Sequence, residues 1–397
     1  MNLKEYLKIY NLTSKDFAKK INVSEVTISR YMSGERFPNK RILQKILKNS
    51  EGVVTADDFK FKKSDKDLSL NEKNEVEDLV YHIKIGSRRH IARAITMIES
   101  SLYKDKIKTE KLISKFKENR NSLRIGITGV PGVGKSTFIE ALGLHLVNIG
   151  MKVAVLAVDP SSQISGGSIM GDKTRMEKLS IDQNAFIRPS PNSGHLGGVS
   201  RKTRESIMCF EHANYDVIFV ETMGVGQAET AVYKMVDIFL VLLLPSGGDD
   251  LQGIKKGIIE LADILVINKS DKILKHAAEN TLLDYKNALS IIKPIRQDFQ
   301  PCVLKCSALE KSGIIEVWDK IKEFKILRKK SKSFDSNRIS QNKDWMWELI
   351  FQNVNDYIEN EIKEKRMSIE IVRKMNKKRI NVVKAANLLL TSFIKKI

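Results

Sequence analysis

The spacing of apolar residues changes character along the chain. Over the first fifty residues they recur every three or four positions, in short runs separated by polar turns. That period predicts helices over 3–9, 14–21, 25–32 and 40–47, with Ser14 as a cap and a tight turn at Asn22, Val23 and Ser24. Phe17, Ala18, Ile21, Val23, Ile28 and Tyr31 then share one buried face. Residues 51–70 are polar and mixed in charge, and read as a linker with one short strand at most. The helical period returns over 71–101, where Ile91, Ala94, Ile95 and Ile98 line one side, and over a basic stretch at 104–120.

From residue 123, continuous apolar runs alternate with helical spacing. Strands are predicted over 124–128, 152–158, 185–189, 216–221, 238–244, 264–268 and 301–305. Such alternation argues for an α/β domain, a mostly parallel sheet flanked by helices. After residue 325 the alternation stops. The segment 328–338 (RKKSKSFDSNR) reads as a basic linker, followed by helices over 344–365 and 368–397. A broad apolar stripe runs from Trp345 and Trp347 through Ile350 and Val354 to Ile358. The expected division is 1–66, a helical unit with linker; 67–120, a helical extension; 121–325, the α/β domain; and 326–397, a helical arm suited to packing on a second subunit.

Composition adds bounds. The 397 residues carry a formal net charge of +20, which points to an acidic partner or to a lysine-rich genome. No run of about eighteen apolar residues occurs, and the N-terminus is polar, so a cytoplasmic protein without membrane association is expected. Cys209, Cys302 and Cys306 form no disulfide framework and read as buried thiols. The six histidines show no H-x-x-x-H pair.

The chemistry-bearing stretch is LRIGITGVPGVGKST, residues 123–137. Gly129-Val130-Pro131-Gly132-Val133-Gly134-Lys135-Ser136 fits G-x-x-x-x-G-K-[ST], with Thr137 following as a further nucleotide candidate, between a β-branched run and a helical pattern. Strand, glycine loop and helix N-terminus together make a phosphate cradle. Lys135 can reach β- and γ-phosphates, and the Ser136 hydroxyl suits Mg²⁺. Further downstream, Asn268, Lys269 and Asp271 form N-K-x-D after the apolar run ILVI. A carboxylate there accepts from both N1–H and the exocyclic amine of guanine, a pair that adenine does not offer. Ser307, Ala308 and Leu309 follow the next strand, where backbone N–H groups can back the base. Asp159 and Glu221 end strands, and Asp172 lies in a glycine-rich segment; all three suit a hard cation, although a buried structural carboxylate is the plain alternative for each. Gly224, in Glu221-Thr-Met-Gly224, can give its N–H to a γ-phosphate.

Two resemblances follow from these stretches. The string SKDFAKKINVSEVTISRYMSGERFPN resembles the phage-repressor (Xre-like) helix-turn-helix family. Ser24, Glu25, Thr27 and Arg30 open the third helix, where such a unit faces a DNA groove. A helical bundle kept for protein contacts is the alternative. Residues 70–397 resemble the MeaB/ArgK/MMAA family, GTPase chaperones of cobalamin-dependent acyl-CoA mutases, through SRRHIARAITMIES, GVPGVGKST, VDPSS, SGGSIMGDKTRM, GHLGGVSRKTRE, ETMGVGQAE, GGDDLQGIKKGI and NKSD. The resemblance implies a P-loop GTPase fold, GTP/GDP and Mg²⁺ as cofactors, and Mg²⁺ held at Ser136, Asp159, Asp172 and Glu221. It also implies a homodimer through the C-terminal arm and a mutase partner that stimulates slow hydrolysis through the loop at Asp249, Asp250 and Lys255. Lys255 is the candidate for transition-state charge and Gln227 for orienting water. Pro245-Ser246-Gly247-Gly248-Asp249 departs from the family's P-G-x-G-D, and His195 stands where threonine is usual; it is not expected to bind metal. The helix-turn-helix lies outside the common family architecture, so a GTP-regulated DNA-binding regulator is the alternative function. A nickel metallochaperone would want a Cys/His pair or a His-rich tail, and a protein kinase would want a kinase signature; neither appears.

Overall fold

The computed structural model describes residues 3–32, 38–55, 59, 68–100, 102–117, 119, 121–158, 176–189, 196–222, 228–245, 256–362, 366–377 and 379–394. The chain forms two compact units: Met1–Asp67 with Trp347–Ile397, and Leu68–Met346.

In the first unit, α1 (Leu3–Ile9), α2 (Ser14–Ile21), α3 (Glu25–Met32) and α4 (Lys40–Asn49) follow the apolar spacing. Thr13, rather than Ser14, caps α2, its hydroxyl accepting from the Asp16 N–H at 3.1 Å. Asn22 (φ 58) ends α2 in the left-handed region and makes the tight turn into α3. Phe17, Ala18, Ile21, Ile28 and Tyr31 are buried together as expected, with Val23 partly covered. Val54 and Phe59 join the same core, so the supposed linker begins as part of this unit. The ring of Phe59 meets Tyr31 edge-on at 6.4 Å.

In the second unit, α5 (Leu70–Lys84), α6 (Arg88–Glu99) and α7 (Tyr103–Ile113) precede the sheet. The single helical stretch expected over 71–101 is broken at Gly86, whose φ of +82 ends α5. Ser69 and Glu72 close α5 at its start with a reciprocal capping box. The basic stretch stops being helical at Ile113, and Phe116 instead stacks on His212 at 4.9 Å.

Seven strands then alternate with helices: β1 (Leu123–Gly129), α8 (Lys135–Asn148), β2 (Val153–Val158), α9 (Glu177–Ile181), β3 (Ala185–Arg188), α10 (Leu196–His212), β4 (Val217–Thr222), α11 (Ala228–Tyr233), β5 (Ile238–Leu243), α12 (Lys256–Leu261), β6 (Ile264–Ile267), α13 (Lys275–Ile291) and β7 (Cys302–Lys305). The strands match the apolar runs to within a residue at most ends. All neighbours pair in parallel, in the order β3-β2-β4-β1-β5-β6-β7. Alternate residues of each strand enter separate cores. Val153, Val155, Leu240 and Leu242 belong to the core that includes α8; Ala154, Leu156, Phe239 and Val241 belong to the other, which includes α6 and α10. β1 lies between β4 and β5, and the connection leaving β1 runs toward β2 while the one leaving neighbouring β5 runs the opposite way toward β6, which makes a topological switch point between them. In open α/β sheets ligands bind beyond the carboxyl ends of the strands at such a point.

The expected linker at 328–338 is not one. α14 (Ile314–Lys330) turns at Lys332 (φ 61) into α15 (Ser333–Ile362), a single helix that begins eleven residues before the expected start at 344. Arg328, Phe334 and Arg338 are buried. The Arg338 guanidinium grips both Asp237 oxygens at 2.8 and 2.7 Å and donates to the Ser122 carbonyl at 2.7 Å. Asp237 also accepts from the Arg124 N–H at 2.8 Å, and the Arg124 side chain pairs with Glu211 at 2.7 and 2.8 Å. Of the basic run, Arg338 is thus spent on buried carboxylates at the N-terminal edge of the sheet and Arg328 on Asp298, while Lys329, Lys330 and Lys332 stay exposed. The last expected helix is two, α16 (Arg366–Asn376) and α17 (Val382–Ile394), because the Asn381 side chain accepts from the Lys384 N–H at 2.7 Å and starts a new helix.

Candidate nucleotide site

β1 ends at Gly129, and residues 130–134 lead directly into α8. Val133 is buried in the core, while Pro131 and Gly132 are exposed at the loop tip. Gly134 (φ +93) has the conformation L residues avoid, and a Cβ there would lie 2.7 Å from Asn268 Nδ2. The Lys135 ammonium folds back over the loop, donating to the Gly129 carbonyl at 2.7 Å and the Val130 carbonyl at 3.3 Å.

Asn268 follows β6 and is only 2% exposed. Its Nδ2 donates to the Val133 carbonyl at 2.9 Å, and its Oδ1 accepts from the Ala308 N–H at 3.0 Å. One amide therefore joins the phosphate loop to the loop after β7. The Cys306 thiol, pushed up to about 12 by burial, stays protonated and donates to the same Oδ1 at 3.6 Å. Ser307 Oγ donates to Asp271 Oδ1 at 2.7 Å and accepts from the Glu310 N–H at 3.2 Å. Lys269 is exposed with φ +58, and Leu309 is 73% exposed beside buried Ala308.

The register sets Glu221 level with Ile127 of β1 and Ala157 of β2. Ser136 Oγ donates to Glu221 Oε1 at 3.3 Å, and Glu221 is 2% exposed. Next to it, Thr222 and Thr128 share a hydrogen bond of 2.7 Å across the strands. A hydroxyl and a carboxylate converging beside a phosphate loop are hard oxygen donors, the set Mg²⁺ takes. Asp159, Asp172, Gly224, Gln227 and Lys255, with Asp249, Asp250 and His195, lie outside the described residues. The described candidates thus fall into two groups: Gly129–Ser136 with Glu221, and Asn268–Asp271 with Ser307–Leu309, bridged by Asn268. The contribution of Cys306 was not read from the sequence; a thiol after an apolar strand carries no signal beyond burial.

In the helix-turn-helix, Ser24, Glu25 and Arg30 are exposed and Thr27 is half-buried. The Ser24 hydroxyl lies 2.7 Å from Thr27 Oγ1 and accepts from the Thr27 N–H at 3.2 Å, so both residues help to start α3.

A parallel sheet with a phosphate loop after its central strand, and an Asn-Lys-x-Asp segment bridged to that loop, defines a P-loop GTPase. Residues 91–363 match the family described as methylmalonyl Co-A mutase-associated GTPase MeaB, and residues 3–49 match a helix-turn-helix family. Over 285 residues the chain is 46% identical to GTPase ArgK of Escherichia coli (strain K12), covering 70% of this chain and 84% of that protein. It is 43% identical over 337 residues to the mitochondrial methylmalonic aciduria type A homolog of Mus musculus, covering 82% and 81% of the two chains. A crystal structure of an LAO/AO transport system kinase superposes with a TM-score of 0.63 at 34% identity, covering 82% of this chain and all of that one. The chain belongs to the MeaB family of GTPases and carries an N-terminal helix-turn-helix. No helix among the described residues is long and apolar enough to cross a membrane.

Proposed function

We propose that this GTPase is the nucleotide-gated chaperone of a cobalamin-dependent acyl-CoA mutase such as methylmalonyl-CoA mutase. The observation that carries the reading is the family match across residues 91–363, which spans both nucleotide-facing segments. Bound GTP takes the Lys135 ammonium from the Gly129 and Val130 carbonyls to its phosphates. Asp271, held by Ser307, accepts the guanine N1–H and exocyclic amine. Ser136 and Glu221, with Asp159 and Asp172, hold Mg²⁺, which neutralises phosphate charge when bound. Water oriented by Gln227 attacks the γ-phosphorus, the bond to the β–γ bridging oxygen breaks, and GDP and phosphate leave. Lys255 balances the developing charge once the partner orders its loop, so hydrolysis is slow alone.

The arm is read as a dimer contact. On α15 the side chains of Trp347, Ile350, Phe351 and Val354 are 41–62% exposed, while Trp345 is half-buried beneath the Arg204 guanidinium. The test is GTP and ATP turnover with and without methylmalonyl-CoA mutase. GTP hydrolysis stimulated by the mutase is expected. Equal use of ATP removes the guanine assignment, and GTP turnover indifferent to the mutase removes the chaperone reading.

The helix-turn-helix match at residues 3–49 favours a second reading, a GTP-regulated DNA-binding protein. A mobility shift of upstream DNA by the full chain at stated salt, with and without GTP, decides it. No shift in either state ends that reading.

A further inference from the structure

The corner between α5 and α6 carries a cluster that the nucleotide site does not use. Asp78 and His82 are one turn apart on α5 and so share a face. Gly86 then reverses the chain, and α6 brings His90 back to the same place. His82 Nε2 lies 3.3 Å from Asp78 Oδ1, and His90 Nε2 lies 3.9 Å from Asp78 Oδ2. The two imidazoles stack with centroids 4.2 Å apart and planes 13° from parallel. Among the described residues, this is the trio whose ligand atoms all lie within 4.8 Å of one another.

The surroundings point to a ligand rather than to an ion pair alone. The Ser87 hydroxyl lies 2.7 Å from His90 Nδ1. In the Nδ1–H tautomer the hydroxyl accepts and the Nε2 lone pair faces Asp78 and His82, the outer-shell arrangement that orients ligating imidazoles. Two imidazole nitrogens from different helices thus converge on one carboxylate.

We propose that Asp78, His82 and His90 bind a divalent transition-metal ion of the zinc type, with Ser87 orienting His90. Two imidazole nitrogens and a carboxylate oxygen suit such an ion. Ligands about 2.0–2.2 Å from a tetrahedral metal lie roughly 3.3–3.5 Å apart. The Asp78–His82 pair already has that spacing, and the trio needs only small side-chain rotations. Asp78 is 55% exposed, so the remaining positions on the ion face solvent. The ion staples α5 to α6 across the Gly86 corner. Because α6 carries Arg88, whose guanidinium donates to the Asp182 and Gln183 carbonyls at 3.0 and 3.3 Å, the staple also steadies the approach to β3. This site is independent of the nucleotide chemistry.

The test titrates chelator-stripped, nucleotide-free full-length protein with Zn²⁺ by calorimetry and with Co²⁺ by visible absorption. One equivalent is expected, with a higher unfolding temperature that chelator reverses. The double variant His82→Ala/His90→Ala loses that equivalent and the thermal gain while GTP turnover and circular dichroism stay unchanged. Should the double variant misfold, His90→Gln, which keeps volume and polarity, gives the same reading. Ser87→Ala weakens binding roughly 10-fold. The proposal is overturned if the parent binds no zinc, or if the folded variants bind it as well as the parent does.

Discussion

Asp271 receives the Ser307 hydroxyl on one oxygen at 2.7 Å, which fixes the rotation of its carboxylate. A guanine base would donate two charge-assisted hydrogen bonds to that fixed group. Asp271→Asn keeps the size but replaces an acceptor with a donor facing the exocyclic amine. We expect GDP affinity to fall by about 1.5–3 kcal/mol for each charged hydrogen bond lost. Xanthine carries a carbonyl where guanine carries that amine, so the variant should come to prefer xanthosine nucleotides. Competition against a fluorescent GDP measures both effects. Asn268→Ala tests the neighbouring bridge. It strips partners from the buried Val133 carbonyl and Ala308 N–H, and should cost about 1–3 kcal/mol of stability by urea unfolding.

Among elements, the foot of α15 is where packing overrode the sequence pattern. Asp237 is wholly buried, which alone would push its carboxyl up; the Arg338 charge, its hydrogen bonds and Arg124 outweigh that and hold it below its ordinary value. A depressed carboxylate contributes stability that is complete above its unfolded value. That contribution is lost as pH falls through the lower folded one. The protein should therefore lose stability steeply only below about pH 4 through this group. Arg338→Met leaves Asp237 buried and opposed to no such partner on α15, and should cost about 3–5 kcal/mol near neutral pH. Urea midpoints across an acid series measure both. The seven strands were legible because buried parallel strands must be continuously apolar. The foot was not, since RKKSKSFDSNR has the composition of a solvated linker and nothing local reveals that Asp237, about a hundred residues earlier, waits for Arg338. Likewise the break in α5–α6 rests on one glycine, which a helix tolerates often enough to hide a corner.

For the molecule as a whole, the phosphate loop and the Asn-Lys-x-Asp segment were readable, because each pairs a short motif with an unmistakable strand. Their common fastening through Asn268 was not, since it needs the order of strands across the sheet. The charge of +20 is a property of the full chain, and it predicts how DNA binding would behave. Any mobility shift should weaken steeply with salt. Arg30→Glu, on the exposed side of α3, should abolish the shift while GTP turnover is unchanged. A shift that survives the substitution would move the contact elsewhere. The double duty of Asn268 has a kinetic corollary. A joint tying the Val133 turn to the Ala308 turn lets movement of one be felt at the other, so loosening it should hasten the departure of a spent nucleotide.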